Sequence, residues 1–185
     1  MAKTQVRPGA VKLFSTDPVV VLTTVDERGR NNTAAIGSYC RISSTIILAV
    51  YPGHHTYENI MTKKEFVVNL PGKNNLESIM VVSRSYRGKE NEIEASGLTP
   101  LALEGVTTPG IEEFAASVHC TYLWEKPEGS HSLIAGRMRE ALVDEDLLDD
   151  SGMFDQVKAG VLHIARYPDP VYTCADRYLE GSERM

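Results

Sequence analysis

The segment VVVLTTV at residues 19–25 decides the fold, because β-branched residues dominate it and favour an extended strand. The sequence DERG at residues 26–29 follows at once and predicts a turn in which Gly29 takes a positive φ. The residues TAAIGSY at 33–39 then predict a second strand. These two strands are expected to form a β-hairpin.

Further elements follow this hairpin at short intervals. Apolar runs and alternation predict strands at residues 46–51, 66–70, 114–124, 131–143 and 161–166. Two short helices are predicted, with Thr56 and Asn75 as their N-caps. Residues 85–110 are polar and contain several glycines, which predicts a long irregular segment. Residues 144–158 predict an acidic and helical connection.

Two of these elements carry clear face patterns. The alternation along 114–124 predicts one shared face for Phe114, Ala116, Val118, Cys120, Tyr122 and Trp124. In the second helix, the inner side is expected to consist of Leu76, Ile79, Met80 and Ser83. Both patterns predict which side chains reach the core.

The order of elements predicts the fold class. Six or seven strands are joined mostly by tight turns and accompanied by few helices, which favours a mainly β protein with an antiparallel barrel. A parallel sheet would need a helix between most strands. The 185 residues are about one domain long. We therefore expect an N-terminal arm at residues 1–17 and a single domain at 18–185.

Composition excludes several function classes. Nineteen Lys and Arg residues against 25 Asp and Glu residues give a net charge of −6, so neither a nucleic acid nor an anionic membrane is an expected partner. The five histidines and three cysteines lack zinc-ligand spacing, and no metal is expected. Three widely spaced cysteines without a CxxC pair favour a reduced, cytoplasmic location. No GxGxxG, GxxxxGK[ST], HExxH or GxSxG motif is present.

The segment YPGHHTYEN at residues 51–59 is the strongest local feature. It leaves a buried strand, turns at Pro-Gly and enters a helix with two imidazoles and a hydroxyl group in its first turn. Free N–H groups and the positive end of the helix dipole make such a place an anion site. His54 or His55 could add a charge-assisted bond to a phosphate. The alternative is a capped helix with two solvent-exposed histidines.

Two other segments are candidates for ligand contact. His131 follows the tight turn at Gly129 and begins a long strand, either at a ligand site in the barrel mouth or as a surface residue. The segment NNTAAIGSY at 31–39 has small residues that let a flat ring approach the backbone. The alternative for that segment is a hairpin whose small residues lie on a packed face.

In order and spacing, these segments resemble the flavin reductase-like family, and in particular its flavoredoxin branch. The resemblance extends from about residue 18 to residue 167. It rests on PVVVLTTVD at 18–26, NTAA at 32–35, IILAV at 46–50, HTYENI at 55–60, FVVNLP at 66–71 and GSH at 129–131.

The resemblance implies an antiparallel, Greek-key-like split β-barrel that forms a homodimer with one non-covalently bound FMN per subunit. The ring and ribityl chain would lie against Thr33, Ala34, Ala35, Ser38 and Tyr39. The phosphate would lie among His54, His55, Thr56 and Asn59. Arg84, Arg87 or Lys89 could close on the phosphate or on a second substrate.

The resemblance also implies a function, in which the flavin supplies redox chemistry and the protein supplies binding and orientation. The first hypothesis is an oxidoreductase that transfers a hydride from NAD(P)H to FMN, with His131 orienting the nicotinamide and electrons passing onward. Reductase relatives carry Gly-Asp-His where this chain has Gly129-Ser130-His131. The alternatives are a flavoredoxin-like electron carrier that serves a redox partner protein without NAD(P)H, and a non-catalytic flavin-binding protein.

Overall fold

The computed structural model describes residues 17–83, 91–166 and 171–179. Arg84, Arg87, Lys89 and nearly all of the predicted N-terminal arm lie outside these ranges. The strands within them are β1 Asp17–Pro18, β2 Val20–Val25, β3 Asn31–Ile36, β4 Tyr39–Ile42, β5 Thr45–Val50, β6 Glu65–Leu70, β7 Pro100–Leu101, β8 Gly110–Ile111, β9 Ala116–Glu128, β10 His131–Val143, β11 Leu162–Arg166 and β12 Val171–Cys174. The helices are α1 His55–Lys63, α2 Leu76–Val82, α3 Glu92–Ala95 and α4 Gln156–Ala159.

Seven strands form one antiparallel sheet in the order β3-β2-β6-β9-β10-β5-β4. The two end strands, β3 and β4, follow each other in the chain with only Gly37 and Ser38 between them. The sheet must therefore curl until its ends approach each other. The backbone N–H of Ala49 in β5 donates to the C=O of Ser38 at 2.9 Å, which ties the connection to the far end of the sheet. The predicted antiparallel barrel is confirmed.

Strand β2 is buried on both faces, which explains its unbroken apolar run. Val20 and Leu22 pack inside the curled sheet, where Phe66 is among the largest buried side chains. Val21 points the other way, into a second cluster that includes Ile79 of α2. Successive side chains in a strand point to opposite faces, so a strand covered on both sides needs apolar residues at nearly every position.

Strands β9 and β10 form a long hairpin, and the predicted strand at 131–143 has the bounds of β10. Gly129, with φ 58°, supplies the positive φ at the turn. A second glycine, Gly136, lies so close to the core that an added Cβ would come within 2.3 Å of Phe66 Cζ. Phe66 can therefore pack fully only if position 136 has no side chain.

The predicted face along 114–124 is wrong at both ends. The pairing of β9 with β10 shifts between Tyr122 and Trp124, so Leu123 is an extra residue in a β-bulge. The bulge breaks the alternation, and Trp124 is 43% exposed. Phe114 precedes the strand and packs in the second cluster, whereas Cys120 belongs to the inner core.

Two further local predictions are corrected. The N-cap of α1 is His54, not Thr56, and Thr56 lies buried in the first turn. Asn75 is the N-cap of α2 as predicted, but its side chain makes no capping bond to the helix: it accepts from the Gly72 N–H and donates to the Glu113 C=O. On α2 itself the buried residues are Ile79 and Val82, whereas Leu76 and Met80 are exposed.

The connecting segments contain more structure than the sequence predicts. The described part of 85–110 contains α3, and β7 pairs with β8 after it. Residues 144–158 form a 3₁₀ turn at Glu145–Leu147, an isolated bridge and the start of α4, and not a continuous helix. Asp17, placed in the arm, belongs to β1 and pairs with β11. In the described ranges no helix has the length and apolar character needed to cross a bilayer.

Candidate active site

The beginning of α1 directs unpaired backbone groups toward solvent. Strand β5 ends before Tyr51, and the turn closes when the His54 N–H donates to the Tyr51 C=O at 3.1 Å. The N–H groups of Tyr57 and Glu58 donate back to the His54 C=O. The amides of His55 and Thr56, which begin the helix, have no intrahelical acceptor, and the helix dipole adds positive potential there.

Thr56 and Asn59 are buried on the side of α1 that faces the sheet, with 3% and 7% of their surface exposed. The Asn32 side-chain amide donates to Thr56 Oγ1 at 2.8 Å, and the Asn59 amide donates to Thr24 Oγ1 at 3.1 Å. Both threonine hydroxyls act as acceptors and keep their own hydrogens to donate. The structure thus joins two predicted phosphate residues, Thr56 and Asn59, to β2 and β3.

Glu92, at the start of α3, reaches the same region and was missed by the sequence analysis. Its side chain is 4% exposed, and Oε2 accepts from the Thr33 N–H at 2.7 Å and lies 3.3 Å from the donating Thr33 Oγ1. Burial raises the pKa of Glu92 above its usual range, against the lowering effects of the Thr33 donors and the charge of His55. A glutamate in a polar segment gives no sequence signal that it will be buried.

A small cleft of about 30 Å³ lies between these elements, and its lining includes Asn32, His55, Asn59 and Glu92. Arg30 and Asp26 complete its wall as an ion pair at 2.6 Å. The pKa of Asp26 is lowered, first by the hydrogen bond from the Arg30 backbone N–H and also by the guanidinium. Since these two charges compensate each other, the charge of the cleft depends mainly on Glu92 and His55.

A second group of residues, which we call the aromatic cluster, consists of Tyr51, His54 and His131. The Tyr51 ring lies 5.1 Å from the His54 ring and 6.0 Å from the His131 ring between centroids, in edge-to-face geometry. All three side chains are exposed. The cluster joins the segment predicted to bind the phosphate to His131, which is predicted to orient the nicotinamide. His55 of that segment and His131 are 76 positions apart in the sequence. Tyr51 begins the predicted phosphate segment, but the sequence analysis gave its side chain no role.

Glu125 fixes the position of α1 against the long hairpin. One carboxylate oxygen accepts from Tyr57 Oη at 2.7 Å and from Ser132 Oγ at 2.6 Å. The hydrogen bond from Ser132, followed by that from Tyr57, lowers the pKa of Glu125. The Glu125 bond in turn raises the pKa of Tyr57. Because Ser132 is next to His131, this bridge sets the spacing between α1 and the aromatic cluster.

The predicted ring-binding residues are divided by the structure. Thr33, Ala34 and Ala35 lie on β3, which is an end strand of the sheet and leaves one backbone edge unpaired by any described strand. Ser38 is exposed. Tyr39 lies in β4 at the opposite end of the sheet and packs against the inner core.

The family model of the flavin reductase-like domain matches residues 14–162, which is most of the chain. The chain belongs to the flavin reductase-like family. The predicted resemblance is thereby confirmed. Curated relatives with 29–33% identity align over 49–53% of their own lengths, so the chain spans about half the length of these relatives.

Solved structures of split-barrel proteins share the fold. The flavoredoxin of Desulfovibrio vulgaris (Miyazaki F) is 21% identical, with a TM-score of 0.85 over 97% of both chains. Nitrilotriacetate monooxygenase component B from Bacillus cereus is 22% identical, with a TM-score of 0.86 over 97% of this chain and 99% of that one. An FMN-binding protein from Thermus thermophilus is 17% identical, with a TM-score of 0.79 over 98% of this chain and 99% of that one.

A flavin is the cofactor that membership of the flavin reductase-like family implies, and most of the site fits one. The unpaired edge of β3 offers N–H and C=O groups to the polar edge of a flat ring. The first turn of α1, with the Thr56 hydroxyl and two imidazoles, offers donors to a phosphate. Glu92 is the exception, because its buried carboxylate already occupies the Thr33 donors.

Proposed function

We propose that this protein is an oxidoreductase that binds FMN non-covalently, takes a hydride from NADH or NADPH onto the flavin and passes electrons to a further acceptor. The observation that carries the proposal is the aromatic cluster, in which Tyr51 lies between the start of α1 and His131. One side of the cluster offers phosphate donors, and the other offers an exposed imidazole. This arrangement suits a flavin whose phosphate lies at α1 and whose ring extends toward His131.

Each residue has a defined task in this proposal. The amides at the start of α1, together with His54, His55 and Thr56, hold the phosphate. Asn32 fixes the direction of the Thr56 hydroxyl through its 2.8 Å hydrogen bond. The backbone of Ala34 and Ala35 in β3 bonds the polar edge of the ring. When bound, FMN supplies the redox chemistry, for which the protein provides orientation and a suitable electrostatic environment.

His131 is the residue that would position the nicotinamide. Its Nδ1 lies 3.0 Å from Ser130 Oγ, so a short polar contact restrains the imidazole. The Tyr51 ring beside it is 46% exposed and gives a planar surface next to the imidazole. A carboxamide could hydrogen-bond to the free ring nitrogen while its pyridine ring packs near Tyr51.

Anaerobic stopped-flow reduction by NADH and NADPH tests this role directly. Loss of one positioning interaction of ~1–2 kcal/mol predicts that His131→Ala lowers kcat/KM about 5- to 30-fold while FMN stays bound. Lys126→Ala, an exposed change on the adjacent β9, is the control and is expected to react like wild type. Ser130→Asp is expected to raise kcat/KM. Unchanged reduction in His131→Ala would defeat the assignment.

The second candidate is a flavoredoxin-like carrier that exchanges electrons with a redox partner protein. The observation that favours it is Ser130, a neutral residue where reductase relatives carry a carboxylate beside the histidine. If neither nicotinamide bleaches the flavin absorption of wild-type protein but a chemical reductant does, this second function replaces the first. A protein that takes up no flavin at all would be neither.

We also propose that the protein is a cytoplasmic homodimer. The pairing registers align Cys40, Ile47, Ala135 and Trp124 across four neighbouring strands. Directly paired residues share a face, and Leu48 and Ile134 next to them fill the inner core, so this outer apolar row lies on the outside of the barrel. A second subunit would cover it. The three free cysteines suit a reducing compartment.

A further inference from the structure

Glu92 is the feature of the site that the proposed function does not use. Its carboxylate is almost fully buried at the start of α3, and it accepts both the N–H and the hydroxyl of Thr33. The contact joins residues 59 positions apart in the sequence. A buried carboxylate needs donors of this kind, because an ionised group without them is costly to remove from water.

The Thr33 donors are of the kind that bind phosphate oxygens. A backbone N–H and a hydroxyl on one residue, beside the first turn of a helix, form part of an anion site. Strand β3 has no other described strand on that edge, and the Thr33 N–H there donates to Glu92, which itself lines the cleft. The Glu92 carboxylate therefore already holds two donors that a bound phosphate could otherwise use.

The charges that face Glu92 do not offset it fully. Across the cleft, Asp26 and Arg30 compensate each other as a close ion pair. His55 on α1 is the remaining group with a favourable charge when it is protonated. Glu94, on the same helix as Glu92, is exposed, accepts from the Asn91 side chain and is not among the residues that line the cleft. A phosphate that enters this cleft therefore meets the negative charge of Glu92, which already accepts from the Thr33 donors.

We propose that Glu92 is a specificity-determining residue that competes with the flavin phosphate for the Thr33 donors. The consequence is that the site holds FMN less tightly than its helix N-terminus would allow and prefers FMN to riboflavin by less than about 100-fold. Weaker binding of the phosphate favours FMN that exchanges with solution over FMN that stays bound. The inference rests on the proposed flavin site and adds the selectivity of its phosphate end.

The test is a comparison of FMN and riboflavin affinities in wild type, Glu92→Gln and Glu94→Gln, measured by quenching of flavin fluorescence. Glutamine keeps an oxygen that can accept from Thr33 but removes the charge. Removal of one like charge from the phosphate site predicts that Glu92→Gln tightens FMN binding on the order of 10-fold. Riboflavin binding is expected to change less than about twofold, and Glu94→Gln is the matched exposed control.

Each other outcome has a distinct meaning. Equal tightening of FMN and riboflavin would show that Glu92 shapes the fold of the cleft and does not select against phosphate. Wild-type protein that prefers FMN to riboflavin by more than about 100-fold, which is more than one full charge-assisted bond supplies, would overturn the inference without any variant. If neither wild type nor any variant binds either flavin, the proposed function and the role of Glu92 both fail. If riboflavin binds but Glu92→Gln does not tighten FMN, only the role of Glu92 fails.

Discussion

At the scale of single residues, the site depends on hydroxyl and amide groups that are buried in pairs. Thr56 is the clearest case, since Oγ1 accepts from Asn32 at 2.8 Å and keeps a hydrogen for an anion. Its place near a helix start could be predicted, because a hydroxyl beside two histidines after a Pro-Gly turn is a recognisable pattern. The burial of Glu92 could not, because its partner Thr33 is far away in the sequence and only the tertiary fold brings them together.

Replacement of Thr56 tests the phosphate end. A charge-assisted hydrogen bond to phosphate contributes roughly 1.5–3 kcal/mol, so Thr56→Ala is expected to weaken FMN about 10- to 100-fold. Riboflavin, which lacks the phosphate, should lose much less. Thr62→Ala is the control, because Thr62 is an exposed residue on the same helix whose hydroxyl donates to the Glu58 C=O. Titration of both flavins decides the matter, and equal losses for the two would place the phosphate elsewhere.

At the scale of elements, strands were easier to predict than their irregularities. The bounds of β10 follow from alternation after a tight turn, and the run in β2 follows from burial on two faces. The bulge at Leu123 could not be predicted, because a period of two contains no signal for one inserted residue. The N-cap of α1 lies two residues before the predicted Thr56 for a similar reason, since His54 ends the turn with its backbone and contributes no capping side chain.

The bridge through Glu125 gives a test at this scale. The lowered pKa of Glu125 means that its hydrogen bonds stabilise the folded state above the unfolded pKa and lose that effect as pH falls through the folded pKa. Tyr57→Phe removes one donor to this carboxylate and is expected to lower the free energy of unfolding by about 0.5–1.5 kcal/mol at neutral pH. The deficit should shrink as acid protonates Glu125.

Urea denaturation at a series of pH values measures this difference. Tyr122→Phe is the matched control, because its ring stays under the Lys64 ammonium, 4.2 Å from the ring centroid, and only the hydroxyl is lost. The control is expected to unfold like wild type. A deficit in Tyr57→Phe that stays constant with pH would mean that the Tyr57 hydroxyl stabilises the fold through a contact other than the ionised Glu125 carboxylate.

At the scale of the whole molecule, the barrel exists because β3 and β4 are adjacent in the chain and at opposite ends of the sheet. Tight turns in the sequence predicted the antiparallel class. The turns could not predict that β6 lies between β2 and β9, because these pairings join residues far apart in the sequence and helices intervene between the strands. The same closure brings α1 and the β9–β10 turn to one end of the barrel, where Tyr51 contacts both His54 and His131.

The outer apolar row makes the oligomeric state testable at this scale. Trp124 is the single tryptophan of the chain and is 43% exposed in one subunit. A second copy on this face would remove its indole from water, so the emission is expected to shift to the red as the protein is diluted. Ile47→Lys places a charge beside Ala135, in the middle of the row. Burying an unpaired charge costs several kcal/mol, which is enough to weaken a dimer by on the order of 100-fold or more.

Sedimentation velocity over a dilution series gives the decisive measurement. Wild type is expected to sediment as twice 20.4 kDa and Ile47→Lys as a folded monomer. Met153→Lys is the control, because Met153 is 67% exposed outside the seven-stranded sheet, and this variant should remain dimeric. A clean 20.4 kDa species of wild type with flavin bound would refute the homodimer. In that case the exposed residues of the outer apolar row, Trp124 and Cys40, would instead be available to the redox partner protein of the carrier hypothesis.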